Sequence, residues 1–217
     1  MSFVRDTMLV RLTADPGRVW TPADFADLAP RPTIDKTLQR LTNEGQVRRI
    51  DRGLYDKPAL NRLTGKPNVP NPRMVIDAIA KRDQLRVIVD GMTAANDLGL
   101  TDAVPAKVIA HTERRLKPVE LGNMKIEFKP TTTTKLFWAG RPAMRLVQAL
   151  NWLRDVLSRR GERPAIEAKV RRILTDSEDR GVLAQDLLKG WAALPAWMQD
   201  FLRPLLPVET PSGEDRV

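Results

Sequence analysis

Residues 20–56 read WTPADFADLAPRPTIDKTLQRLTNEGQVRRIDRGLYD, and this stretch decides the fold of the amino-terminal part of the chain. Thr21 carries the hydroxyl of a good helix N-cap, and Pro22 suits the first helical position because its missing N–H would be unpaired there. Asp24 stands three residues after Thr21, close to a capping-box arrangement. A short helix is therefore predicted from Pro22, and the Pro-Arg-Pro run at residues 30–32 predicts a turn after it.

A second helix is predicted to start near Pro32 and to end at Gly45, which suits a left-handed C-cap. Its apolar residues are spaced four and three apart, which predicts one buried face of Ile34, Leu38 and Leu41. The polar residues outside this face are Thr33, Lys36, Thr37, Gln39 and Arg40. Cations, hydroxyls and amides contact phosphates and base edges in the major groove, so these side chains are predicted to bind DNA.

A basic segment follows, in which residues 47–50 and 54–55 are predicted to be two strands around the turn at residues 51–53. Residues 46–66 contain six Lys/Arg against two Asp, whereas residues 1–45 contain six basic and six acidic residues. We therefore expect backbone contacts from Arg48, Arg49 and Arg52. Two short helices followed by a basic hairpin predict a winged helix-turn-helix that binds duplex DNA. The alternative is a protein-contact module whose charged stripe is only a solvated face.

The composition agrees with a polyanionic partner. The chain has 217 residues and a formal net charge of +9, which favours salt-sensitive association with nucleic acid. It contains no cysteine, which excludes disulfides, thiol catalysis and thiolate metal sites. No apolar targeting segment and no apolar run of about 20 residues is present, so we expect a cytoplasmic protein without a membrane partner. No cofactor and no bound metal are expected.

Prolines and a glycine interrupt the chain after the predicted hairpin and predict a semi-rigid linker at residues 59–72. The predicted domains are thus a winged helix-turn-helix at residues 1–58 and a second domain at residues 73–207. In the second domain, helices are predicted at residues 73–81 and 93–98, strands at residues 85–89, 107–110 and 124–129, and further helices from residue 141 onward. Residues 208–217 are predicted to be a disordered tail. The expected fold class is α+β: a winged helix-turn-helix, then a mixed α/β domain ending in a helical bundle.

Three stretches of the second domain carry a family resemblance: DGMTAANDLGLTDAVPAKVIAHT at residues 90–112, LGNMKIEFKPTTTTKLFWAGRPAMRLVQALNWL at residues 121–153, and LPAWM at residues 194–198. Together with residues 20–56 they resemble the AbiEi-like antitoxins, winged-helix proteins of bacterial type IV toxin–antitoxin or abortive-infection modules. The resemblance extends from about residue 19 to residue 205. It is strongest at residues 52–55, 104–107 and 139–141.

This resemblance implies a repressor that binds repeated sites in its own promoter and counteracts a nucleotidyltransferase-like toxin encoded nearby. It also implies that the protein is not an enzyme. The first alternative is a plain winged-helix transcription factor without a toxin, whose second domain senses a ligand or only dimerises.

The other alternative is a metal-dependent nuclease. Asp90 ends a predicted strand, while Glu127 and Lys129 share one face of another strand because side chains alternate along it. In such nucleases two carboxylates hold the cation and a lysine assists the attacking water. The competing interpretation is structural: Asp90 serves the turn at Gly91, and the Glu127 and Lys129 pair is a solvated strand face. We favour the structural interpretation, because Glu-x-Lys is common by chance in a basic protein.

Overall fold

The computed structural model describes residues 3–103, 107–159, 161–176 and 181–206. Part of the 104–107 motif and the tail predicted at residues 208–217 lie outside the described residues. Within them the chain forms α-helices and β-strands that are largely segregated along the sequence, which confirms the predicted α+β class. The helices are α1 (Phe3–Ala14), α2 (Arg31–Asn43), α3 (Pro72–Asp83), α4 (Gly91–Asp97), α5 (Met144–Leu157), α6 (Arg163–Asp176), α7 (Val182–Lys189) and α8 (Ala196–Leu202). The strands are β1 (Arg48–Asp51), β2 (Leu54–Asp56), β3 (Val87–Val89), β4 (Lys107–Thr112), β5 (Val119–Leu121) and β6 (Met124–Pro130).

The chain divides into two compact units that are both discontinuous in sequence. The first comprises Met1–Val87 and Ala106–Thr132, and the second comprises Ile88–Pro105 and Thr133–Val217. The division therefore falls within β3, whereas the Pro-rich residues 59–72 lie inside the first unit.

The core of the first unit contains the apolar face predicted for α2. Ile34, Leu38 and Leu41 are fully buried, which confirms that interpretation of their spacing. They belong to one cluster with Met8, Leu12, Trp20, Phe25, Val47 and Tyr55. The cluster draws on α1, α2 and the hairpin, so it fixes the orientation of α2 about its own axis.

Two local signals set the boundaries of the elements near α2. The capping box forms: the Asp24 carboxylate accepts from the Thr21 backbone N–H (2.7 Å), and the Thr21 side chain accepts from the Asp24 backbone N–H. The Thr21 hydroxyl also donates to the Asp24 carboxylate (2.8 Å). The element it caps is a 3-10 helix of four residues, Pro22–Phe25, since the turn before Pro30 leaves no room for a longer helix. At the other end of α2, Gly45 has a φ of 68° and donates to the Thr42 carbonyl, as a left-handed C-cap requires.

The predicted hairpin is also present. β1 and β2 pair antiparallel, and Gly53 at their tip has a φ of 69°, a conformation that favours glycine. Trp20 adds a third strand segment: its N–H donates to the Tyr55 carbonyl (2.7 Å), and the Tyr55 N–H donates to the Trp20 carbonyl (2.9 Å). Trp20 also stacks on Phe25, with ring centroids 5.3 Å apart.

A second sheet region of the first unit is built by the later strands. β6 lies between β4, which runs parallel to it, and β5, which runs antiparallel to it. Leu121 pairs with Met124, so only Gly122 and Asn123 connect β5 to β6. Residues 113–118 connect β4 to β5, and they lie at the carboxyl end of β4, where Thr112 pairs with Pro130.

The second unit is built on α5, whose buried face includes Leu146, Leu150, Leu153 and Leu157. The Arg141 guanidinium before this helix lies 4.7 Å from the ring centroids of both Phe137 and Trp138. It also donates to an Asp186 side-chain oxygen (3.0 Å) and to the Asp186 backbone carbonyl (3.1 Å). Arg141, within residues 139–141 of the family resemblance, therefore holds α7 to the start of α5.

Two elements have no counterpart in the sequence predictions. α1 has exposed apolar residues, Phe3 and Val10, beside its buried Met8 and Leu12, so its apolar spacing does not mark one face. β5 is only three residues long, which is too short for an alternation pattern, and it follows a basic loop.

The close approach of α4 to α5 yields the first testable prediction. A Cβ at Gly91 would lie 2.5 Å from both the Gln148 carbonyl oxygen and the Trp152 Cβ, and backbone cannot yield easily. Gly91→Ala is expected to lower the free energy of unfolding by about 1–3 kcal/mol, the range for overpacked sites. Gly161→Ala is the control, since a Cβ there would meet no described atom within 4 Å. Urea denaturation followed by tryptophan fluorescence measures both, and equal midpoints would contradict the prediction.

Candidate nucleic-acid interface

The polar stripe of α2 lies on the side of the helix away from the core. Thr33, Lys36, Gln39 and Arg40 are exposed, as expected when Ile34, Leu38 and Leu41 are buried. Thr37 differs from the others because it lies at the margin of this stripe and is half-buried. Its hydroxyl donates to the Thr33 carbonyl (2.8 Å), so its proton is used within the helix.

The Arg48 side chain forms hydrogen bonds within the fold. Its Nε and Nη2 atoms donate to the two oxygens of the Asp56 carboxylate at 2.9 Å and 2.5 Å, across the base of the hairpin. Asp56 is fully buried, and Arg48 Nη1 also donates to the Asn68 carbonyl at 2.9 Å. A buried carboxylate needs this partner, so Arg48 is occupied in neutralising Asp56.

Arg49 and Arg52 are the hairpin cations that remain exposed. The Arg49 side chain makes a long contact of 3.4 Å with the Asp51 carbonyl, and Arg52 stands at the tip beside Gly53. Among the described residues, none forms a hydrogen bond or ion pair with the Arg52 side chain. Instead, Arg82 Nη1 donates to the Arg52 backbone carbonyl at 2.5 Å, which leaves the Arg52 guanidinium exposed to solvent.

Arg82 is a residue that the sequence analysis missed. It lies in the last turn of α3, where its Nε and Nη2 atoms donate to the two Asp83 oxygens at 2.8 Å and 2.7 Å. These hydrogen bonds hold the pKa of the Asp83 carboxyl below its ordinary value. A single guanidinium thus neutralises Asp83 and positions the hairpin tip. The contact spans thirty residues, so no local pattern marks it.

α3 makes a second contact with the amino-terminal elements. Lys81 Nζ donates to Asp24 at 2.6 Å, beside the capping box of the 3-10 helix. Burial alone would raise the pKa of Asp24, but the hydrogen bonds from Lys81 and Thr21 outweigh it and lower the pKa. Helix α3 therefore stabilises both the 3-10 helix before α2 and the hairpin after it.

The residues of the nuclease alternative have structural partners within their own units. The Asp90 carboxylate caps α4: it accepts from the Met92 N–H (3.0 Å), the Thr93 N–H (3.1 Å) and the Thr93 hydroxyl (2.7 Å). In β6, Glu127 accepts from Lys107 Nζ at 3.2 Å. That hydrogen bond lowers the pKa of Glu127, and the nearby charges of Lys125 and Lys129 lower it further. These contacts favour the structural interpretation of Asp90 and Glu127.

Across the described ranges, no three acidic, histidine or cysteine side chains are grouped so that they could hold a metal ion. In the same ranges, none of the helices has both the length and the apolar character needed to cross a membrane.

Comparisons with known proteins add a family and a distant structural likeness. The crystal structure of the RV2827C protein from Mycobacterium tuberculosis is 18% identical to this chain, with a TM-score of 0.43, and the match covers 95% of this chain and 77% of that one. No curated protein matches the sequence. Residues 10–180 match the model of DUF6088, described as a family of unknown function, and the chain belongs to that family.

Proposed function

We propose that this protein is a transcriptional repressor that binds duplex DNA through a winged helix-turn-helix formed by residues 20–56. The observation that carries the proposal is the outward stripe of α2. Its exposed Lys36, Gln39 and Arg40 lie opposite a fully buried apolar face. An exposed helix face of this chemistry has the donors and acceptors that base edges and phosphates require.

The hairpin supports the same proposal. In a winged helix the wing lies beside the recognition helix and contacts the DNA backbone. Here the tip carries Arg52, whose guanidinium is exposed while its backbone is anchored by Arg82. A cation on a fixed backbone loses less conformational freedom on binding a phosphate than one on a loose loop. The tip therefore suits a backbone contact, and α2 suits base readout.

Arg40 and Arg52 should respond differently to substitution. If Arg40 reads a guanine, Arg40→Ala is expected to cost about 1–3 kcal/mol on the promoter duplex and to relax base preference. Arg52→Ala should weaken binding to all duplexes equally. It should also reduce the slope of log affinity against log salt by about the contribution of one phosphate contact. Fluorescence anisotropy on the upstream region and on a random duplex, across salt concentrations, measures both effects.

Arg171→Ala is the matched control for these two variants, because it removes one exposed arginine from α6. Its affinity should stay near that of the wild type. Equal losses on promoter and random DNA for Arg40→Ala would remove its base-reading role. A wild-type protein that binds neither duplex would overturn the proposal as a whole.

Arg48 is expected to affect stability, contrary to its predicted role as a DNA contact. Arg48→Ala leaves the buried Asp56 carboxylate without its partner, which should destabilise the protein by about 3–5 kcal/mol. Arg49→Ala, in the next position of the same strand, is exposed and should change stability by at most about 0.5 kcal/mol. Urea denaturation of the two variants measures the difference. Similar unfolding midpoints would show that Arg48 does not stabilise the hairpin.

We further propose that the repressor acts as the antitoxin of a type IV module and counteracts a nucleotidyltransferase-like toxin. The resemblance at residues 90–112, 121–153 and 194–198 supports this, because these residues lie mostly outside the elements proposed to read DNA. The alternative is a repressor without a toxin, and it predicts no effect on a toxic neighbour.

Growth rescue separates these two possibilities. The proposed nucleotidyltransferase-like toxin is expressed from a heterologous promoter, so that repression cannot account for survival. Full-length protein is expected to restore growth, and a variant carrying both Arg40→Ala and Arg52→Ala should restore it equally well. Failure of the full-length protein, at a level confirmed by immunoblotting, would contradict the antitoxin proposal and leave the repressor.

A further inference from the structure

A groove in the first unit is lined by four cations from four separate segments of the chain. Arg31 comes from the start of α2, Arg52 from the hairpin tip, Arg82 from the end of α3, and Lys117 from the loop between β4 and β5. The groove has a volume of about 640 Å³, and its other lining residues include Ile79, Leu116, Val119 and Phe128. All of these residues belong to the first unit.

Two of the four cations are already paired. Arg31 donates from Nε to Asp35 at 2.9 Å, one turn along α2, and Arg82 forms the two hydrogen bonds to Asp83. The carboxylates of Asp35 and Asp83 are thereby neutralised, which leaves Asp51 as the other acidic lining residue. Arg52 and Lys117 are both exposed, and neither forms an ion pair with another side chain in the described ranges. The groove therefore presents two unpaired cations among lining residues that include Asp51 and several apolar side chains.

This arrangement suits an anion that reaches the groove from solvent. Cations that converge on one groove from separate segments add their fields there, which raises the attraction for an anion. The groove is also continuous with the start of α2 and with the hairpin tip, the two elements that we propose to contact DNA. A phosphate of the same duplex is thus the anion that the position of the groove favours.

We propose that the DNA interface extends beyond the winged helix onto this groove, where Lys117 and Arg52 contact the sugar–phosphate backbone. This inference rests on the proposed function. It assigns a DNA contact to the loop at residues 113–118, which lies more than fifty residues after the hairpin. The loop contains Arg114, Arg115 and Lys117 within four positions. Lys117 lines the groove together with Arg52 and Gly53, so the loop adds positive charge beside the hairpin tip.

The test is the salt dependence of DNA binding by the full-length protein carrying Lys117→Ala. Each phosphate contact contributes about 0.9 to the slope of log affinity against log salt for duplex DNA. Lys117→Ala is expected to reduce the slope by about that amount and to weaken promoter and random duplexes alike. Lys117→Arg keeps the charge and should keep the wild-type slope. Lys66→Ala, an exposed lysine of the same unit outside the groove lining, controls for the loss of one charge.

The outcomes distinguish this inference from the proposed function. If Lys117→Ala and Lys66→Ala leave the slope equally unchanged while Arg52→Ala flattens it, the groove extension is overturned and the winged helix still binds DNA. If both lysine variants flatten the slope by the same amount, the effect belongs to net charge and the groove is again overturned. If the wild type binds no duplex, the proposed function fails, and the groove inference fails with it.

Discussion

The burial of Ile34, Leu38 and Leu41 decides which side of α2 meets solvent, and the candidate interface depends on it. A helix with one apolar stripe has one rotation about its axis that removes the stripe from water. Each of these side chains is worth about 1.5–3 kcal/mol when fully buried, so rotating the helix would cost several kcal/mol. Lys36, Gln39 and Arg40 are therefore held outward by buried residues on the opposite side of the helix.

The hairpin is fixed by charge at both ends. At its base, Arg48 neutralises the buried Asp56, and at its tip Arg82 binds the backbone carbonyl of Arg52. The two contacts use arginines in opposite ways. The Arg48 guanidinium pairs with a buried carboxylate, whereas the Arg82 guanidinium holds a backbone carbonyl. The Arg52 guanidinium stays exposed at the tip. Counting basic residues in the segment cannot separate these roles, because only the buried partner identifies the structural arginine.

Local signals were sufficient for the elements around α2 but not for their partners. The Thr21 and Asp24 capping box, the spacing in α2 and the left-handed Gly45 depend on neighbours within a few residues, so the sequence predicts them. The contacts of Lys81 with Asp24 and of Arg82 with Arg52 span 57 and 30 residues, and no local pattern marks them. α1 and β5 were missed for a related reason: their apolar residues follow no clear period, and the contacts that hold them are made with distant segments of the chain.

The division of the chain changes how its functions can be separated. Prolines at residues 58, 67, 70 and 72 suggest a linker after the hairpin, yet α3, β4, β5 and β6 belong to the same unit as the hairpin. The chain leaves this unit within β3, returns to it before β4 and leaves it again after Thr132, so the backbone passes between the units three times. Cutting after residue 66 would remove Lys81 and Arg82, which stabilise the 3-10 helix and the hairpin tip. Point variants in the full-length chain, rather than fragments, are consequently the sound way to assign DNA binding and toxin antagonism to separate surfaces.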